Sequence, residues 1–180
     1  IPVTVTVSGA PTPKVQEVSY CLNDPTVTAL TAEATPGQDA TETWTLRWYD
    51  ASGTALSGAP TPSVTTAGET TYYVSQVSDV TGAESGRVPV KVNVYGVAKP
   101  DVSGNRLAYC AGEPYETVTA QSGSDAMKYL MGDGTFVWTV DGTEVSDPSV
   151  STQKEIISYT VKETYTISAG HVCESEAAEF

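Results

Sequence analysis

The chain has 180 residues, enough for two ordinary domains or one large one. Nine Lys and Arg stand against 22 Asp and Glu, a formal charge of -13, and this balance argues against nucleic acid or an anionic membrane surface as a partner. No apolar run approaches the roughly 18 residues of a membrane-spanning helix, so direct membrane insertion is not expected.

Val, Thr, Ser, Gly and Tyr are abundant and Met is scarce, which is the balance of strands and turns. Taken in chain order, Ile1–Val7 alternates Val with Pro and Thr at the period of two expected of a half-buried strand. A proline-stiffened joint is expected over Gly9 to Pro13. Strands are predicted over Val27–Ala34, Thr43–Tyr49, Thr70–Val77 and Val88–Val94. They are broken at Pro36-Gly37, Ala51-Ser52-Gly53 and Ala67-Gly68. A second joint is expected over Gly96 to Pro100.

Beyond it, Glu116–Ala120, Phe136–Val140, Ser149–Ser151 and Ile156–Ser168 read as strands, with Asp141-Gly142 a two-residue hairpin signal. Ser124–Gly132 departs from this pattern. A polar residue opens it and a glycine closes it around Met127, Tyr129, Leu130 and Met131, which predicts one helical turn and no other helix. These four apolar side chains form the candidate contact patch, although the favoured reading is that one face of the turn caps the open end of the hydrophobic core.

The chain repeats itself. Ile1-Pro-Val-Thr-Val-Thr-Val7 recurs as Val88-Pro-Val-Lys-Val-Asn-Val94, Tyr20-Cys21 as Tyr109-Cys110, Trp48 as Trp138 and Glu84-Ser85 as Glu174-Ser175. The offsets are 87, 89, 90 and 90, a period suited to tandem immunoglobulin-like β-sandwich domains in an all-β protein. The expected division is 1–9 as the last strand of a preceding repeat, 10–97 as one domain and 98–180 as a second, truncated at its last strand. The start at Ile1 instead of Met fits a piece of a longer protein.

Trp48 and Trp138 fall in the third strand of their units, where such a sandwich buries a tryptophan, and Tyr73 and Val74 are expected in the core of a later strand. Cys110 and Cys173 lie at the two ends of the second unit's core, where a bridge would contribute roughly 4 kcal/mol on chain-entropy grounds. In the first unit Ala83 stands at the position matching Cys173, which leaves Cys21 expected as a buried free thiol.

Catalytic kits are missing. There is one histidine, His171, in the expected turn before Cys173, with no Gly-x-Ser-x-Gly, no His-Glu-x-x-His and no glycine-rich loop opening a helix. No catalytic residue, metal ligand or cofactor is assigned. Asp101, Asn105, Asp133 and Asp147 lie in loops where a structural calcium could be held, but turn chemistry accounts for them. Lys91 and Lys162 lie in strands and could form isopeptide bonds only if buried, whereas a lysine there ordinarily faces solvent.

The segments Tyr20-Cys21, Trp48-Tyr49, Thr71-Tyr72-Tyr73-Val74, Gly82-Ala-Glu-Ser85 and the Val-x-Val-x-Val strand resemble the immunoglobulin-like repeats of large Bacteroidetes surface and gliding-associated secreted proteins. The resemblance spans nearly the whole chain, and unit one departs from it at Ala83. It also implies the Cys110–Cys173 pairing, and hence an oxidising compartment, so a secreted or bacterial cell-surface location. The implied role is a non-catalytic structural or adhesive segment, an adhesin-like spacer that presents a binding surface. Its partners would be neighbouring domains of the same chain and a cell-surface protein or glycan. Two other readings stand beside it. One is a carbohydrate-binding accessory module of a secreted enzyme; the other is a self-assembling surface subunit that uses strand donation through its incomplete terminal strands.

Overall fold

The computed structural model describes residues 9–37, 41–110, 112–114, 116–146, 148 and 156–180. The strands expected at Ile1–Val7 and Ser149–Ser151, and Asp147, lie outside the described residues. The chain divides into two compact units: one takes the described residues to Ser19 together with Asp24–Val94, the other Tyr20–Asn23 with Tyr95–Phe180.

In the first unit β1 (Lys14–Val15) pairs antiparallel with β3 (Ala32–Glu33). A second sheet runs in the order β2 (Val18–Cys21), β6 (Val88–Tyr95), β5 (Gly68–Ser78) and β4 (Trp44–Tyr49). The alternating valines of β6 act as their spacing predicts, with Val90, Val92 and Val94 buried and Pro89 and Lys91 exposed between them. Trp48 and Val74, direct neighbours across β4 and β5, are both buried. Tyr73 is only half-buried, because its strand mate Val74 takes the core-facing side of the pleat.

The second unit builds one larger sheet, ordered β10 (Val172–Glu174), β9 (Tyr159–Thr166), β7 (Thr135–Val140) and β8 (Thr143–Val145), with β11 (Ala178–Glu179) also pairing β9. Asp141 and Gly142, both at positive φ, make the tight β7–β8 turn that the Asp-Gly dipeptide predicts. Facing the sheet, Glu116–Ala120 is not a continuous strand. Its neighbourhood is tied down by a bridge between Asp101 and Gln121, with both backbone hydrogen bonds made, and by the Val118 N–H donating to the Pro148 carbonyl at 3.1 Å. Val118 and Ala120 pack from that side against Trp138, Tyr159, Val161 and Ala178, so the core lies between two layers as in an immunoglobulin-like sandwich. The architecture is all-β.

One helix was expected, and two short ones are present among the described residues. The α-helix α1 spans Asp125–Met131, and a 3-10 turn follows at Ser168–Gly170 in the β9–β10 hairpin. That hairpin is longer than its counterpart in the first unit. Glu163 and Ser175 are 12 residues apart and bonded to one another, whereas Gln76 and Ser85, bonded in the same way, are 9 apart. The extra residues of the second hairpin contain the 3-10 turn.

The disulfide differs from expectation. Cys21 is bonded to Cys173, with Cα atoms 5.2 Å apart, and Cys110 is the exposed free thiol. The repeat alignment assigned Cys21 to the first unit, but Tyr20–Asn23 belong with the second. There Cys21 packs with Tyr95 and Val97 against the cluster of Met127, Tyr165, Ile167 and Cys173. Cys110 instead sits in an exposed turn, its N–H donating to the Glu113 carboxylate at 2.7 Å.

Candidate contact surface

Ser124 precedes α1 as the sequence suggests, but its hydroxyl does not cap the helix; it accepts the N–H of Ala98. Gly132, at φ 82°, closes the helix by donating its N–H to the Lys128 carbonyl at 3.0 Å. The helix thus shows two unlike faces. Met127 is 3% exposed and packs on Tyr165, Ile167 and Cys173, while Tyr129 is 89% exposed and Leu130 and Met131 are exposed beside it. The expected four-residue patch is therefore three residues, because Met127, two positions before Tyr129, turns to the opposite side of the helix and seals the core.

Lys128 is paired to Asp133 at 3.0 Å, and this hydrogen bond and charge raise its pKa above the ordinary lysine value. Beside α1 lies a cavity of about 470 Å³ lined in part by Gln121, Asp125, Asp133, Phe136 and Glu163. At its wall the Tyr165 hydroxyl donates to Glu163 Oε1 at 2.7 Å. Burial pushes the Tyr165 phenol up.

In the first unit the polar surface of the sheet is organised around Glu84. It accepts from the hydroxyls of Ser75 (2.6 Å) and Tyr49, and pairs with Arg47 at 3.0 Å. The Ser75 and Tyr49 hydrogen bonds hold the Glu84 carboxyl below its usual range, with Arg47 and Arg87 adding to the effect. The Arg87 guanidinium lies 3.5 Å from the Tyr49 ring centroid. The sequence suggested no such cluster, since its members are separated by up to 40 positions.

The remaining polar candidates serve turns and surface pairs. Asp101 accepts the N–H of Ser103 at 2.8 Å, a bond that lowers its pKa, and Asn105 holds the Val102 and Thr119 backbone. Lys91 pairs with Glu69 and Lys162 with Glu174, and both lysines are half-exposed, so neither is placed for an isopeptide bond. His171 ends the 3-10 turn and is exposed. Among the described residues no group of three His, Cys, Asp or Glu is placed to hold a metal ion, and no helix is long and apolar enough to cross a membrane.

No family model matches the chain, and no curated protein matches it. Among solved structures it is similar to the N-terminal Ig1-2 module of the Drosophila receptor protein tyrosine phosphatase DLAR, at 11% identity and a TM-score of 0.30, covering 94% of each chain. It is also similar to Sidekick-1 immunoglobulin domains 1-5, at 11% identity and a TM-score of 0.28, covering 94% of this chain and 40% of that one.

Proposed function

We propose that this chain is a non-catalytic structural and adhesive segment of a secreted or cell-surface protein, in which repeated immunoglobulin-like units present a contact surface. The observation that carries the reading is how the chain uses its polar groups. The same buried backbone-to-serine clasp is built in both units, and Asp101, Asn105, Glu113 and Glu84 are taken up in hydrogen bonds that fix turns and strand neighbours. The disulfide supports an oxidising, extracellular setting. A bacterial, Bacteroidetes-type surface array is the finer form of the proposal and rests on the short motifs shared with those repeats.

The surface presented is the outer face of α1, where Tyr129, Leu130 and Met131 stand exposed. Display of the chain on a non-adherent cell, with attachment scored on protein-coated surfaces and on a glycan array, tests the proposal. Attachment that falls several-fold in the Tyr129→Ala/Leu130→Ala double variant is expected. Binding to glycans alone would replace it with the accessory carbohydrate-binding reading, and turnover of a substrate by the purified chain would overturn it.

A further inference from the structure

Tyr20-Cys21 and Tyr109-Cys110 are the same dipeptide at the same place in the repeat, and the structure uses them differently. The first lies in the first repeat by sequence but is built into the second unit, within Tyr20–Asn23. Two bonds fix it there. The Leu22 N–H donates to the Tyr95 carbonyl at 2.8 Å, and Cys21 is disulfide-bonded to Cys173 of the β9–β10 hairpin, against the apolar cluster of Met127, Tyr165 and Ile167. Cys110, by contrast, is a free and exposed thiol. Leu107, which matches Val18, is 86% exposed, and Leu107–Cys110 lies in no strand, whereas Val18–Cys21 is a strand beside β6.

The hairpin position shows the same relationship from the other side. Cys173 and Ala83 each stand two residues before a clasped serine, Ser175 and Ser85, so they occupy matching places. Cys173 is buried, and Ala83 is exposed. A Tyr-Cys segment is thus joined to the hairpin of the unit that follows its own repeat in the sequence, and not to the hairpin of its own repeat.

We propose that Cys110 is a half-cystine of the same kind, and that it forms a disulfide with the hairpin cysteine of a further immunoglobulin-like unit following the second in the same polypeptide. Exposure alone would leave Cys110 an ordinary surface thiol; the bonded state of Cys21 at the same repeat position identifies its ligand as a second cysteine. The partner hairpin would carry its thiol where Cys173 stands, with apolar side chains in the places of Met127, Tyr165 and Ile167 to receive the Tyr109-Cys110 segment. Glutathione disulfide, or another small disulfide of an oxidising compartment, takes the two electrons. The Cys110 thiolate displaces one glutathione thiolate, and the partner thiolate then attacks the Cys110 sulfur and displaces the second. The two released thiolates take up the two protons that the cysteines lose. The proposal rests on the reading of the chain as repeated units and not on the Tyr129 face, so the disulfide map and the attachment assay fail separately.

The test extends the full chain at Phe180 with a second copy of residues 91–180. This junction keeps the repeat in register, because Ala178 opposite Val161 and Val88 opposite Val74 hold matching places. The extended chain is oxidised in a glutathione redox buffer, alkylated, and mapped by peptide mass spectrometry without reduction. Cys110 should lose its alkylation and appear linked to the appended copy of Cys173, with the Cys21–Cys173 bridge retained. Changing the appended copy of Cys173 to alanine should restore alkylation of Cys110. A folded extended chain in which Cys110 stays alkylated, or in which the appended Cys173 pairs with the appended Cys110, overturns the proposal. A second measurement needs no extension: in the Cys21→Ser chain under the same buffer, Cys110 and Cys173 should both be alkylated. A Cys110–Cys173 bridge there would assign Cys110 to the hairpin of its own repeat and overturn the proposal.

Discussion

Gln76 and Glu163 hold the same place in the two units and are built in by the same clasp. Each backbone N–H donates to a serine hydroxyl, Ser85 at 3.1 Å and Ser175 at 2.9 Å, and each carbonyl accepts that serine's N–H at 2.9 Å. Each serine hydroxyl then donates to the next residue's carbonyl, Gly86 in one unit and Glu176 in the other. In the first unit the Gln76 amide also accepts the Thr35 N–H and donates to the Thr35 carbonyl, each at 2.7 Å. Gln76→Glu should therefore destabilise the first unit by about 2–4 kcal/mol, because glutamate cannot donate to the Thr35 carbonyl and brings a buried charge. Urea unfolding followed by the fluorescence of Trp44 and Trp48 against a Trp138→Phe background measures it. A change below about 0.5 kcal/mol would show that the clip to Thr35 contributes nothing net.

The cysteine pairing is checked by peptide mass spectrometry after alkylation without reduction. A Cys21–Cys173 cross-link and an alkylated Cys110 are expected. Because the bridged residues are 152 positions apart, chain entropy sets a ceiling of about 5 kcal/mol on the stabilisation. The Cys21→Ser/Cys173→Ser double variant should unfold its second unit at lower denaturant than the parent. A Cys110–Cys173 peptide would instead restore the pairing that the repeat spacing implies.

The two faces of α1 should separate cleanly by mutation. Met127→Ala removes a side chain from the cluster around Tyr165 and Cys173 and is expected to cost about 2–5 kcal/mol. Tyr129→Ala, on the exposed face, should stay within about 0.5 kcal/mol. Equal losses at the two positions, measured by thermal or urea unfolding, would mean that Tyr129 is covered in solution.

Fold class was legible because a period of two in valine and a recurrence of Trp48 as Trp138 are direct consequences of sandwich geometry. The α1 boundaries were legible from Ser124 and Gly132, although the serine's hydrogen bond goes to Ala98 and not to the helix. The disulfide was not, since sequence spacing carries no information on which unit the short segment Tyr20–Asn23 joins. Nor was the cavity at Glu163 legible: a Gln-to-Glu difference between repeats reads as a surface substitution until burial and the missing Thr35 contact are seen.

Acid should loosen the first unit through Glu84. Hydrogen bonds from Ser75 and Tyr49 and the charges of Arg47 and Arg87 depress its folded-state pKa below the ordinary glutamate value. A depressed carboxylate pKa contributes stability that is present above the unfolded value and lost as the pH falls through the folded one. The contribution is reduced by solvent screening, because the side chain is about one-third exposed. Stability should thus be flat near neutrality and decline below about pH 4.5. Glu84→Gln should lower stability at pH 7 and flatten that decline, with Asp50 of the same unit, whose pKa is also lowered, supplying the remaining slope. Urea midpoints of the parent and variant at pH 3, 5 and 7 decide the matter, and parallel curves would show that Glu84 is not the group responsible.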